Sequence, residues 1–198
     1  MARTQAADYD ERRDRILDQA AILYAGTGFH GCSIADLAAA CGMSKSLLYH
    51  YFSSKEDILF EIMAGHVGAL SEVADAVAPE PDPATRLRRL THDFMELYRD
   101  ASAYHKVLVN DLDKLPEERR REIVATERAL VDVVDRTVAE LSPHLAAHAE
   151  ERRAAAMLYF GMINWTHTWY DPAGALDAGR IADLAATTFL DGLPRGAR

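Results

Sequence analysis

Two cysteines, seven prolines and four lysines are all that 198 residues contain of these types. Each shortage excludes something. Cys32 and Cys41 cannot build a disulfide framework, so a hydrophobic core must hold the fold, and both read as small buried residues. No run of about 18 apolar residues occurs, so no membrane span is expected. The opening "MARTQAADYDERRDRIL" also lacks the apolar stretch of a secretory signal, and the expected location is the cytoplasm. Runs of β-branched residues alternating with polar ones are missing too, which removes strands from the expectation.

What is present is a chain that is 49% hydrophobic, enough to bury a proper core. Its formal net charge of −9 argues against nucleic-acid binding driven by overall charge. The charge is uneven. Residues 1–56 carry six Lys/Arg against seven Asp/Glu, whereas residues 57–198 carry sixteen against twenty-four. The first quarter is the part that repels anions least.

Apolar residues recur at helical spacing throughout, so the expected fold is all-α with about nine helices. Ile16, Leu17, Ala20, Leu23 and Tyr24 share one face of a first helix, which the glycines of "AGTGFHG" end. Ser33 is a good cap for a short helix with Ile34, Leu37, Ala38 and Cys41 inward. Gly42 breaks it, and Ser44 caps a third helix ending near Phe52. Ser54 opens a long fourth helix whose first-turn acids suit the helix dipole. Further helices are expected at about 84–101, 102–113, 116–141, 148–171 and 177–192, separated by prolines and by "YDPAG".

Short helix, glycine turn, short helix is the spacing of a helix-turn-helix. Leu48 and Phe52, four apart, can anchor the second of these helices, leaving Lys45, Ser46 and Tyr49 on another face near its start. Serine and lysine can hydrogen-bond base edges, while tyrosine or Leu47 can pack on a thymine methyl. Ser33, Ser44, His50, Tyr51 and Lys55 suit phosphate oxygens at helix starts and flanks. On spacing alone, a helical hairpin with polar residues facing water remains an alternative.

The stretch "GCSIADLAAACGMSKSLLYHYFSSKEDIL" (31–59) resembles the DNA-binding region of the TetR family of one-component transcriptional regulators. Ser33, Gly42, Met43, Ser44, Leu48, Tyr49, Tyr51, Phe52 and Lys55 occupy positions of the family pattern, with Leu47 and Cys41 departing from its commoner residues. The resemblance implies a three-helix reader over residues 1–56 and a helical ligand-binding and dimerising domain over 57–198. It further implies a homodimer paired through its C-terminal helices, here the expected 148–171 and 177–192. The pair would place two reading helices about one DNA turn (~34 Å) apart on a palindromic double-stranded operator. A small molecule in the second domain would release the DNA, making the protein a repressor.

For that ligand, "MLYFGMINWTHTWYDPAG" (157–174) is the informative helix. Tyr159, Met162, Trp165 and Trp169 fall near one broad helical face, with Phe94, Tyr98, Tyr104 and Leu108 as facing candidates. Its Asn-Trp…Trp-Tyr pattern resembles the corresponding helix of TetR-family regulators that answer to CoA thioesters, so an acyl-CoA effector is the first expectation. A free aromatic or drug-like ligand, as in efflux control, is the second. The arginines of "EERRRE" (117–122) and "EERR" (150–153) read as a salt-bridged surface rather than a phosphate site.

Other chemistry fails on context. "GTGFHG" (26–31) matches a dinucleotide fingerprint but follows a helix, not a strand. His144 and His148 stand four apart with no third ligand in view, and His167 reads as a satisfied core histidine. No Glu has a His three residues on, as a di-iron bundle would need. Neither a metal, a cofactor nor an enzyme activity is expected. A helical protein-binding adaptor is the remaining rival.

Overall fold

The computed structural model describes residues 2–194, and its order is dictated by a few capping residues. Helix α1 runs Ala2–Thr27, α2 Ile34–Ala40, α3 Lys45–Tyr51 and α4 Lys55–Val77. Then come α5 Pro83–Asp100, α6 Ser102–Asp111, α7 Glu117–Leu141, α8 Pro143–Ala147, α9 Ala149–Asn164 and α10 Ala178–Gly192. Two 3-10 turns, Leu112–Lys114 and Trp165–Thr168, complete the set, and no strand occurs among the described residues.

Among the described residues, ten helices stand where about nine were expected from periodicity. The addition is α8, a single turn begun by Ser142, whose hydroxyl accepts from Leu145 N at 3.2 Å, with Pro143 in the first helical position. The helix expected over 148–171 is shorter than its pattern, stopping at Asn164. Thr166 Oγ1 donates to Ile163 O at 2.6 Å, His167 Nδ1 to Asn164 O at 2.7 Å and Thr168 Oγ1 to Trp165 O at 2.8 Å. Three successive side chains thus bind carbonyls three residues back, and the helix tightens into a 3-10 turn.

The chain packs as two units that do not follow its order. The first comprises the chain up to His66 together with Ala103–Ile123; the second comprises Val67–Ser102 and the chain from Val124 on. The first unit therefore contains the reader expected at 1–56 and adds to it the start of α4, nearly all of α6 and the start of α7. Its interior includes Ile16, Ala20, Tyr24, Leu37, Leu48, Ile58, Leu59 and Ile62, each essentially inaccessible to solvent. Each such aliphatic side chain contributes roughly 1.5–3 kcal/mol by leaving water.

In the second unit, α5 shows the strongest amphipathic pattern. Leu87, Leu90, Thr91, Phe94, Met95 and Tyr98 form one buried stripe, joined by Val134, Val138, Tyr159, Ile163, Ile181 and Ala182 from α7, α9 and α10. Asp82 caps α5 by accepting from Thr85 N at 2.8 Å, and Pro83 sits in its first turn.

Candidate nucleic-acid interface and effector unit

The reading region is built by local chemistry. Ser33 caps α2 in a reciprocal box. Its hydroxyl accepts from Asp36 N at 3.2 Å, while Asp36 Oδ2 accepts from Ser33 N at 2.8 Å and from the Ser33 hydroxyl at 2.6 Å. These bonds hold the Asp36 carboxyl below the usual carboxylate range. After α2 the chain reverses at Gly42, whose φ of +65° a residue with a β-carbon adopts only with strain. Met43 N then donates to Ala38 O at 2.9 Å, and Ser44 caps α3 by accepting from Leu47 N at 3.2 Å.

Helix α3 is seven residues long and has one fully buried side chain, Leu48. Phe52, its C-cap, is the second anchor, and the Arg13 guanidinium lies 5.2 Å over its ring. Lys45, Ser46, Leu47, Tyr49 and His50 face solvent, with Tyr49 half exposed at 51%, and Tyr51 is half-buried. Five of the nine residues expected on DNA therefore share one exposed helix surface, with Tyr51 at its edge. Ser33 and Ser44 stand at the helix starts with their hydroxyls engaged in caps.

Lys55 is placed differently. Its ammonium donates to Phe29 O, lies 4.0 Å over the Phe29 ring and is 5.5 Å from the centre of the Tyr24 ring. The charge is turned onto the bend between α1 and α2. Asp111 at the end of α6, only 8% exposed, accepts from the backbone of the same Phe29, and burial raises its carboxyl above the usual range. One residue, Phe29, is thus gripped on both sides, its carbonyl by α4 and its N–H by α6. Helix α6 also holds α1 through Tyr104, whose hydroxyl donates to Asp18 Oδ1 at 2.8 Å. His105 of α6 meets His66 of α4, ring nitrogen to ring nitrogen, at 3.2 Å. Burial pushes His66 down to about 4.

Sequence reasoning passed over two features. Tyr9, in a stretch read as a polar start, stacks on Tyr51. Arg12, Arg15 and Gln19 of α1 line one side of a groove of about 390 Å³ whose other side includes Cys41, Gly42 and Leu47.

The residues expected on the effector are dispersed. Phe94, Tyr98 and Tyr159 lie in the core of the second unit, with Phe94 stacked on Tyr98 at 6.2 Å between centroids. The Tyr98 hydroxyl donates to Asn164 Oδ1 at 2.8 Å. Thr91 gives its proton to Leu87 O, so Tyr159 donates to Thr91 across 2.9 Å. Met162 is half-buried against this core and lines an apolar groove of about 490 Å³ with Leu145, Leu158, Phe189 and Leu193. Trp165 and Trp169 face solvent at 64% and 57% exposure, because the 3-10 turn takes them off the helical face. Tyr104 and Leu108 belong to the first unit. A residue the pattern did not suggest is Glu127 of α7, raised by burial; the Tyr98 phenol is raised chiefly by its own burial, with Tyr159 and then Glu127 adding to it.

The flagged arginines are paired: Arg119 with Asp57, Arg120 and Arg121 with Glu117, Arg152 with Asp135 and Arg153 with Asp132. No cluster of three or more metal-ligating side chains occurs among the described residues, nor does a helix long and apolar enough to cross a membrane.

Comparison with known proteins decides the family. Residues 16–62 match the model for bacterial regulatory proteins of the tetR family, and residues 80–193 match that for the tetracyclin repressor-like C-terminal domain. The chain is a TetR-family transcriptional regulator. A crystal structure of a TetR-family regulator from Bordetella parapertussis 12822 is 39% identical with a TM-score of 0.88, over 91% of this chain and 94% of that one. The crystal structure of AibR in complex with isovaleryl coenzyme A and operator DNA is 28% identical with a TM-score of 0.79, over 89% and 97%. The transcriptional activator FasR of Mycolicibacterium smegmatis is 31% identical over 64% of this chain and 60% of its own length. These TetR-type relatives are regulators rather than enzymes, and the helix-turn-helix of this TetR regulator is its α2–α3 pair.

Proposed function

We propose that this regulator is a homodimeric repressor that sets α3 of each copy in the major groove of a palindromic operator and is released by an acyl-CoA thioester. The observation that carries the DNA half is the division of α3. Leu48 and the cap Phe52 hold it inward, while Lys45, Ser46 and Tyr49 project outward near its N-terminal end, the end that meets base edges in this motif. Tyr51, His50 and the capped starts of α2 and α3 then lie along the backbone. Lys55 supports the reader by fastening the Phe29 bend.

Dimerisation accounts for the apolar side chains left in water on α9 and α10, where Met157, Leu158 and Leu184 are each about half exposed or more. Two helices from each copy would close into a four-helix bundle covering them.

The effector half rests on the likeness to AibR, named with isovaleryl coenzyme A, and on the apolar character of the second unit. Since the flagged arginines are occupied by acids, the acyl part carries the recognition in this reading. Repression agrees with the match to a repressor-like C-terminal domain; FasR, an activator, marks the sign of control as something to measure directly.

The test is release of a duplex selected from a random pool by the full chain. Isovaleryl-CoA and longer and aromatic CoA esters are compared with free CoA, the free acids and a panel of drug-like aromatics. At least one ester should weaken DNA binding tenfold or more and raise the melting temperature, while its free acid does neither. Release by free aromatic compounds instead would assign the protein to efflux or detoxification control. Release by nothing in the panel would contradict the effector reading and leave DNA binding standing.

A further inference from the structure

Three hydrogen-bonding rings meet at the C-terminal end of α3. Tyr9 of α1 stacks on Tyr51 with ring centroids 4.6 Å apart and planes inclined by 24°. It also meets His50 edge-on at 6.2 Å, and His50 meets Tyr51 edge-on at 5.7 Å. Such arrangements hold rings in fixed relative positions and contribute beyond their buried area. The cluster is not interior packing: Tyr9 is 37% exposed and His50 faces solvent. None of the three polar tips is hydrogen-bonded to a described residue.

If α3 enters a major groove as proposed, a rigid set of aromatic rings at its end, with polar tips that bond no described residue, stands beside the DNA backbone. Aromatic hydroxyls are among the groups that take phosphate oxygens in protein–DNA contacts, fixing register without reading sequence. We infer that Tyr9 is a DNA-contact residue, its hydroxyl donating to a backbone phosphate while its stack on Tyr51 fixes the phosphate-facing edge of α3. The proposal rests on the DNA-reading role of α3 and adds to it a residue from outside the helix-turn-helix. Placement on α1 explains why an aromatic at Tyr9 shares a helical face with Arg13 and Ile16, at spacings of four and seven. That face turns toward α3, where Arg13 covers Phe52 and Tyr9 covers Tyr51.

Two variants separate the hydroxyl from the ring. Tyr9→Phe keeps the stack and removes the donor; Tyr9→Ala removes both. Binding is measured for the full chain on a duplex selected from a random pool and on poly(dI-dC). With one charge-assisted hydrogen bond lost in each of two subunits, Tyr9→Phe should bind the selected duplex about a hundredfold more weakly. Its melting temperature should be unchanged. Its preference for the selected duplex over poly(dI-dC) should also be unchanged, because a phosphate contact carries no sequence information. Tyr9→Ala should lose more. A neutral methylphosphonate at the contacted position should weaken the wild type and leave Tyr9→Phe unaffected. Wild-type affinity in Tyr9→Phe with a loss only in Tyr9→Ala would overturn the proposal, reducing Tyr9 to a packing residue. If the wild type enriches no duplex at all, the α3 reading falls as well, so the two failures are distinguishable.

Discussion

The first unit holds its functional surface by short-range chemistry, and the second holds its interior by many weak, redundant contacts. Helix α3 has one fully buried residue in seven. Helix α5 has six buried residues in eighteen, and among them Thr91 accepts from the Tyr159 hydroxyl while giving its own proton to Leu87 O. A reader so lightly anchored depends on single caps and single leucines. A second unit so heavily anchored can lose one buried side chain without losing its fold.

The largest break in this comparison comes from matched truncations. Leu48→Ala removes the only fully buried side chain of α3 and should cost roughly 2–5 kcal/mol, abolishing duplex binding. Leu87→Ala empties a similar volume in α5 and should cost a similar amount in thermal unfolding. Its folded fraction should still bind DNA within about twofold, since five buried residues keep α5 in place. Equal loss of DNA binding in both variants would erase the distinction.

Acid provides the next contrast. His66, buried in the first unit, has its folded value near 4 against an ordinary 6.5, so the unfolded chain binds the proton more readily between these values. Its contribution to stability is complete above pH 6.5 and declines as pH falls toward 4, by about 3 kcal/mol in all. Asp111, raised by burial, acts with the opposite sign above its ordinary range. Denaturant titrations at pH 7, 5.5 and 4 should therefore show a steeper loss for the wild type than for His66→Gln. Parallel curves would contradict the burial of His66. The hydroxyl pairs of the second unit do not titrate in this window.

The smallest effect tests caps. Ser44→Ala should cost about 1 kcal/mol and lower duplex affinity severalfold, because α3 has few other restraints. Asp177→Ala removes the equivalent cap of α10, whose hydrogen bond to Arg180 N is 2.7 Å long. That change should alter stability by a like amount and DNA binding not at all.

The same contrast governs how much was legible beforehand. Capping serines, a left-handed glycine at residue 42 and the Leu48–Phe52 pair all act within four residues, so spacing outlined the helix-turn-helix and the family resemblance separated it from a plain helical hairpin. Spacing did not show where the Lys55 side chain rests, because its partner, the Phe29 carbonyl, lies 26 residues away. Trp165 and Trp169 followed a helical period that three side-chain hydrogen bonds interrupt just after Asn164. The second unit's pairs, such as Tyr98 with Asn164, are 66 residues apart, and periodicity names the inward faces without saying which faces meet. Tyr9 did leave a signal, an aromatic in register with Arg13 and Ile16, inside a stretch noted only for lacking an apolar run.

The outward face of α3 is the claim on which repression, effector release and the Tyr9 contact all depend. Measuring the affinity of Tyr49→Ala for the selected duplex tests it most directly, since this side chain is half exposed and its removal disturbs no core. Binding should fall at least tenfold with the circular dichroism spectrum and melting temperature unchanged. Wild-type affinity in that variant would show that α3 does not read DNA.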